Sequence, residues 1–104
     1  INGAMSHALD YDDITVITKT HPSAVLIPAA LPMAEEVGSS GSDMLLAYLL
    51  GFEVACAVGD AINPLYYDDL GWHPTGPLGA LGAAVASARL LGLDVSQTAM
   101  AISL

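Results

Sequence analysis

Basic side chains are almost absent from this chain: Lys19 and Arg89 stand against eleven acidic residues, a formal net charge of −9 over 104 residues. That shortage removes the counterion-release term that holds nucleic-acid binders on phosphate, and it disfavours anionic membrane surfaces. Neither nucleic acid nor a membrane is an expected partner. Cysteine is scarce too. Cys56 stands alone, so no disulfide can form within the chain, which agrees with a reducing, cytoplasmic setting. Its neighbours are Ala55 and Ala57, with no adjacent cation to lower its pKa, the pattern of a packed side chain rather than a reactive thiol. A basic n-region followed by an apolar core and cleavage site, the mark of a secretory signal, is missing. The longest apolar stretch, Met44 to Val58, is interrupted by Gly51 and Glu53 and falls short of the roughly 18 residues of a membrane span. It reads as a buried helix.

Strand signals are equally sparse. Only Ile14 to Thr20 is rich in β-branched residues, and without a partner run it reads as an extended loop. What fills the chain instead is helical patterning. Apolar residues Val25, Leu26, Ala29, Ala30, Met33 and Val37 recur at helical spacing between Ser23 and Val37, with Pro28 and Pro32 predicting a kink or a late start, and Gly38 a stop. A helix from about Asp43 to Asp60 follows, capped by Ser42 or Asp43, and Asn63-Pro64 breaks the pattern. Leu65 to Trp72 reads as a loop whose tyrosines and aspartates suit a pocket rim as well as a solvated turn. In the helix from Gly76 to Leu91, Gly79, Gly82, Ala83 and Ala86 offer one side that a neighbour can approach closely. Gly92 ends it, and Asp94 with Gln97 forms a capping box for a last helix. The expected class is all-α.

Apolar residues make up 54% of the chain, with a mean hydropathy of +0.58. A domain this short hides a limited share of its surface, so the excess implies association or a larger parent. The start at Ile1-Asn2-Gly3 without a methionine, and a final segment from Ser96 that reads as an interrupted helix, favour a piece of a longer protein.

Two His-Pro dipeptides carry the chemistry: Thr20-His21-Pro22-Ser23 and Trp72-His73-Pro74-Thr75. Proline keeps the preceding residue out of helical geometry and suits the first turn of a helix, so each imidazole stands at a helix mouth. Ser23 and Thr75 there read as caps, not nucleophiles. No Gly-x-Ser-x-Gly elbow or phosphate loop is present, since Gly76, Gly79 and Gly82 lack a flanking strand and a Lys-Ser/Thr pair. His7, Asp10 and His21 match no zinc spacing, so no metal is expected. Proton transfer by the loop histidines and the acidic Asp10-Tyr11-Asp12-Asp13 segment is the chemistry left, with helix N-termini offering a place for a carboxylate. The rival reading is a non-catalytic helical interaction domain with its histidines in turns.

Four strings in order resemble one family: NGAMSHALDYDD (residues 2–13), THPSAVLIPA (20–29), LGFEV (50–54) and GWHPTGPLGALGAA (71–84). They are similar to the N-terminal helical domain of the MmgE/PrpD family, which includes 2-methylcitrate dehydratase, cis-aconitate decarboxylase and iminodisuccinate epimerase. The resemblance implies that residues 1–104 are part of that domain, with a second, α+β domain outside this chain and the active site in the cleft between the two. It implies catalytic roles for Asp10, His21 and His73, with Thr20, Ser23 and Thr75 lining the substrate. Some members have threonine directly after the paired aspartates, where this chain has Ile14 and then Thr15, so Thr15 receives no role. A family lysine and further histidines would lie beyond Leu104. The implied reaction is cofactor-independent proton transfer on a small di- or tricarboxylate in a homodimeric enzyme. Dehydration of the 2-methylcitrate type comes first, with decarboxylation or epimerisation as alternatives on the same scaffold.

Overall fold

In the computed structural model, residues 1–62 and 65–103 are described; the break expected at Asn63-Pro64 lies outside them. Five α-helices follow one another: α1 (Asn2–His7), α2 (Pro22–Glu36), α3 (Gly41–Ile62), α4 (Thr75–Leu90) and α5 (Val95–Ser103). Among the described residues there is no strand, and the β-branched run contributes only an isolated bridge between Thr15 and Thr20. The all-α expectation holds.

Three helices meet where side chains are smallest. Leu26 of α2, fully buried, enters a notch left by Gly51 of α3 and Gly82 of α4. A Cβ built on Gly82 would sit 2.7 Å from the Gly51 carbonyl oxygen and 3.0 Å from Leu26 Cδ2, so the two backbones are closer than any side chain permits. Gly79 is in the same position against Val25, with a hypothetical Cβ at 2.7 Å. Ala30, Ala47 and Ala86 complete the centre, with Met44, Tyr48, Phe52 and Leu90 packed around it. The expected small-residue side of α4 is the side that packs, except that Ala83 is only partly covered.

Several local expectations are corrected. Pro28 and Pro32 do not delay α2, which runs from Pro22 with both prolines inside it. A proline has no N–H to give the carbonyl four residues back, and at Pro28 that carbonyl is Ala24 O. Ser6 Oγ of α1 donates to it at 3.2 Å, so a neighbouring helix satisfies the acceptor that the proline orphans. The cap of α3 is Ser40, not Ser42 or Asp43: Ser40 Oγ accepts the Asp43 N–H at 3.1 Å and donates to the Asp43 carboxylate at 2.6 Å. Leu65–Asp69 is a π-helical turn instead of an open loop, closed by Leu70 N–H to Leu65 O at 3.0 Å.

The helix α3 also differs from the buried element expected. At 22 residues it is long and apolar enough to cross a membrane by length and composition, yet what it buries is one stripe, Ala47, Gly51, Ala55 and Gly59. Leu45, Leu46, Leu49 and Leu50 remain 40–59% exposed. The other stops behave as expected. Gly38 and Gly92 take φ of +65° and +67°, and the Asp94–Gln97 box closes in both directions at 2.8 and 3.0 Å.

Candidate active site

Both His-Pro dipeptides fall immediately before a helix, so the sequence rule about prolines and helix starts is obeyed: Pro22 opens α2, and Pro74, fully buried, precedes α4. The packing of α2 against α4 then brings the two imidazoles side by side. The His21 and His73 rings are 6.2 Å apart and parallel to within 2°. A long-range bond supports this register, the His21 backbone N–H donating to Thr75 Oγ1 at 3.1 Å.

The side chain of His21 is held from the acidic loop. Its Nδ1 lies 2.9 Å from the Asp13 carbonyl oxygen and 3.5 Å from Asp12 Oδ2. A carbonyl only accepts, so Nδ1 carries the hydrogen and Nε2 is the basic nitrogen of the neutral ring. His7 is oriented in the same way, with Nδ1 at 2.9 Å from Asp12 Oδ2, and its ring centroid is 4.8 Å from that of His21. Asp12 thus lies between two imidazoles, its side chain only 7% exposed. Desolvation alone would raise its pKa, but the hydrogen bond from His7, a backbone hydrogen bond at Asp12 and, after these, the imidazoles of His7 and His21 when charged outweigh that and hold the carboxyl below its ordinary value.

Asp10 sits at the rim. Its backbone takes φ of +56°, its carboxylate is 79% exposed, and the nearest imidazole nitrogen, His7 Nδ1, is 4.0 Å away. The hydroxyls expected at the substrate are engaged within the protein. Thr20 is buried and shares hydrogen bonds with Thr15 at 2.7 Å and Thr18 at 2.8 Å. Neither Ser23 nor Thr75 caps its helix, contrary to expectation. Asp13 takes that role for α2, its carboxylate accepting from Ser23 N–H at 3.1 Å and Ser23 Oγ at 2.9 Å, while Ser23 Oγ also meets Tyr48 OH at 2.8 Å. The amide that a substrate carboxylate would have found at this helix mouth therefore already has an anion.

Two further features frame the cluster. Lys19 pairs with Asp68 and lies 4.6 Å over the Tyr67 ring, tying the threonine loop to the π-helical turn that precedes His73. A hollow of about 330 Å³ runs along His7, Val25, Pro28 and Thr75. A larger groove of about 620 Å³, between residues 15–18 and the Phe52–Asp60 side of α3, touches no histidine and is mainly apolar. The smaller hollow is lined by His7 and Thr75 but by neither His21 nor His73, so the chemistry belongs to the side-chain cluster beside it, where the ring nitrogens and carboxylates meet. Sequence reasoning placed Asp12 and Asp13 in the acidic segment without giving either a role of its own, and it missed Tyr48. The spacing of five between His7 and Asp12 was the one local signal available.

Fold and cluster together define a helical domain that presents imidazoles and carboxylates at two helix mouths. The chain belongs to the MmgE/PrpD family, matching its N-terminal domain over residues 1–104. It is 35% identical to a cis-aconitate decarboxylase-like protein, oryM, of Aspergillus oryzae, over the whole chain and 23% of that protein. It is 32% identical to the cis-aconitate decarboxylase of Homo sapiens, again over the whole chain and 22% of the relative, and 33% identical to that of Aspergillus terreus over 98% of the chain. The chain thus spans less than a quarter of the length of these relatives. No solved structure matches it.

Proposed function

We propose that this chain supplies one side of the acid/base site of a lyase acting on a small polycarboxylate, with decarboxylation of cis-aconitate or a close analogue as the reaction. The observation that carries the reading is the parallel pair His21 and His73, brought together from two helix mouths beside an acidic loop. The relatives named above move decarboxylation ahead of the 2-methylcitrate dehydration that the sequence strings first suggested.

In such a decarboxylation the bond to the departing carboxylate breaks, carbon dioxide leaves, and the electron pair stays on the substrate carbon. That carbon then needs a proton. An imidazolium at His73 or His21 delivers it, and solvent restores the imidazolium; the contribution of one such group is typically about 10²- to 10⁴-fold in rate. Asp10, at the exposed rim, acts on the substrate side of the same cluster. Thr20, Ser23 and Thr75 act as positioning residues through the bonds described above, and the positive end of the α4 dipole beside His73 favours a carboxylate. Lys19 is committed to Asp68, and Arg89, in the last turn of α4, lies 3.8 Å from Asp43, so the lysines and arginines that offset a polycarboxylate come from outside this chain. The setting we propose is a cytoplasmic homodimer, a reading supported by the lone cysteine and the uncovered apolar side of α3.

The test uses the full polypeptide that carries this chain. Carbon dioxide release from cis-aconitate, water loss from 2-methylcitrate and epimerisation of iminodisuccinate are followed in parallel, for the native protein and for His21→Ala. Release from cis-aconitate alone, lost in the variant, supports the reading. Dehydration or epimerisation in its place rejects the decarboxylase assignment and keeps the site; equal activity in the variant rejects the site.

A further inference from the structure

One ligand atom from each of His7, Asp10, Asp12 and His21 lies within 4.8 Å of every other. The donors are two imidazole nitrogens and two carboxylate oxygens. A tetrahedral site with bonds of about 2.0–2.1 Å has donor-to-donor edges near 3.3 Å. The edges here are 2.9 Å from His7 to Asp12, 3.5 Å from Asp12 to His21 and 4.0 Å from His7 to Asp10, and none exceeds 4.8 Å, so the side chains draw together, the widest edge by up to about 1.5 Å, to close the shell. We propose that this cluster is a binding site for a divalent transition metal of the zinc type, and that the metal competes with the acid/base use of the same side chains.

The donor set selects the ion. Calcium takes six to eight oxygens and magnesium a near-octahedral oxygen shell, whereas mixed imidazole and carboxylate ligation with four donors suits zinc. Access is uneven in a useful way. Asp10 and His7 are open to solvent at 79% and 45%, whereas Asp12 and His21 are at 7% and 17%, so the outer pair can capture an ion that the inner pair then holds. To bind it, His21 Nδ1 gives up its bond to the Asp13 carbonyl. With the metal on Nδ1 the ring keeps its one proton on Nε2, which can no longer accept a second, so the imidazole cannot cycle through imidazolium and an occupied site is an inhibited one. The metal site stands on the geometry alone; the inhibition rests on the proposed acid/base role of His21.

Zinc titration of the full polypeptide against a chromophoric zinc indicator tests both parts. One ion per polypeptide is expected, unaffected by millimolar magnesium. Since losing an outer partner of a metal ligand already weakens binding about 10- to 100-fold, His7→Ala and Asp12→Asn should each weaken it by at least about tenfold. His73→Ala, outside the donor set, should bind zinc as the native protein does even if it is inactive. Cobalt in place of zinc should give the visible bands of a four-coordinate site, lost in His7→Ala. Zinc bound with equal affinity in the native protein and His7→Ala, or not bound, overturns the site. Zinc bound as expected with turnover unchanged overturns the competition, while turnover surviving His73→Ala counts against the acid/base reading and leaves the metal site intact.

Discussion

The contact among α2, α3 and α4 and the polar segment from Ser6 to Ser23 hold together by opposite means. In the first, Gly51, Gly82 and Gly79 remove side chains so that Leu26 and Val25 can enter, and nothing polar is involved. In the second, almost every residue that matters is tethered by a hydrogen bond: Ser6 to Ala24, His7 to Asp12, His21 to Asp13 and Thr75, and Ser23 to Asp13. Sterics set where the helices lie, and a few polar bonds then aim the imidazoles. Changes in the two regions should therefore be read by different instruments, stability for the first and turnover for the second.

The largest effect expected on stability is at the steric contact. Gly51→Val would drive a branched side chain into the Gly82 backbone and Leu26, and overpacking of this kind costs about 3 kcal/mol or more where backbone cannot yield. A denaturant midpoint for the full polypeptide that stays at the native value would break the comparison at its firmer end. Asp13→Ala should act on both sides of it. Loss of the carboxylate that caps α2 costs about 1–2 kcal/mol and frees Ser23, so both the midpoint and turnover should fall.

How far this was legible beforehand depends on the range of the interaction. The stops at Gly38 and Gly92, the Asp94–Gln97 box, the packing side of α4 and the placing of both histidines before helices follow from local rules, and they stand. The continuous α2 was hidden because the partner that satisfies Ala24 O belongs to another helix. Ser23 and Thr75 were read as caps because a cap is the local option; their actual partners, Asp13 and the His21 amide, come from other segments. Asp12 was read only as one of an acidic segment for the same reason, since only folding puts its carboxylate between two rings.

Smaller effects sharpen the contrast. Ser6→Ala removes the donor that covers the carbonyl orphaned by Pro28, and leaving that acceptor short costs about 1 kcal/mol, visible as a lower midpoint with turnover nearly intact. An unchanged midpoint would mean that solvent replaces the hydroxyl. Smallest of all is Cys56. Burial, with Glu53 nearby, pushes its thiol pKa up, so alkylation at pH 8 should be slower than for a free thiol. By linkage, its contribution to stability is complete below the ordinary thiol range and declines as pH rises through it. Alkylation at the rate of a free thiol would mean that this side of α3 is open to solvent.

The central claim is that the paired imidazoles at the two helix mouths carry the proton. Its most direct test is carbon dioxide release from cis-aconitate by the full polypeptide with His73→Ala, alongside a circular dichroism melt to establish that the variant is folded. The account predicts a native-like melt with turnover down by about 10²- to 10⁴-fold. A native-like melt with turnover at the unmutated rate would contradict it.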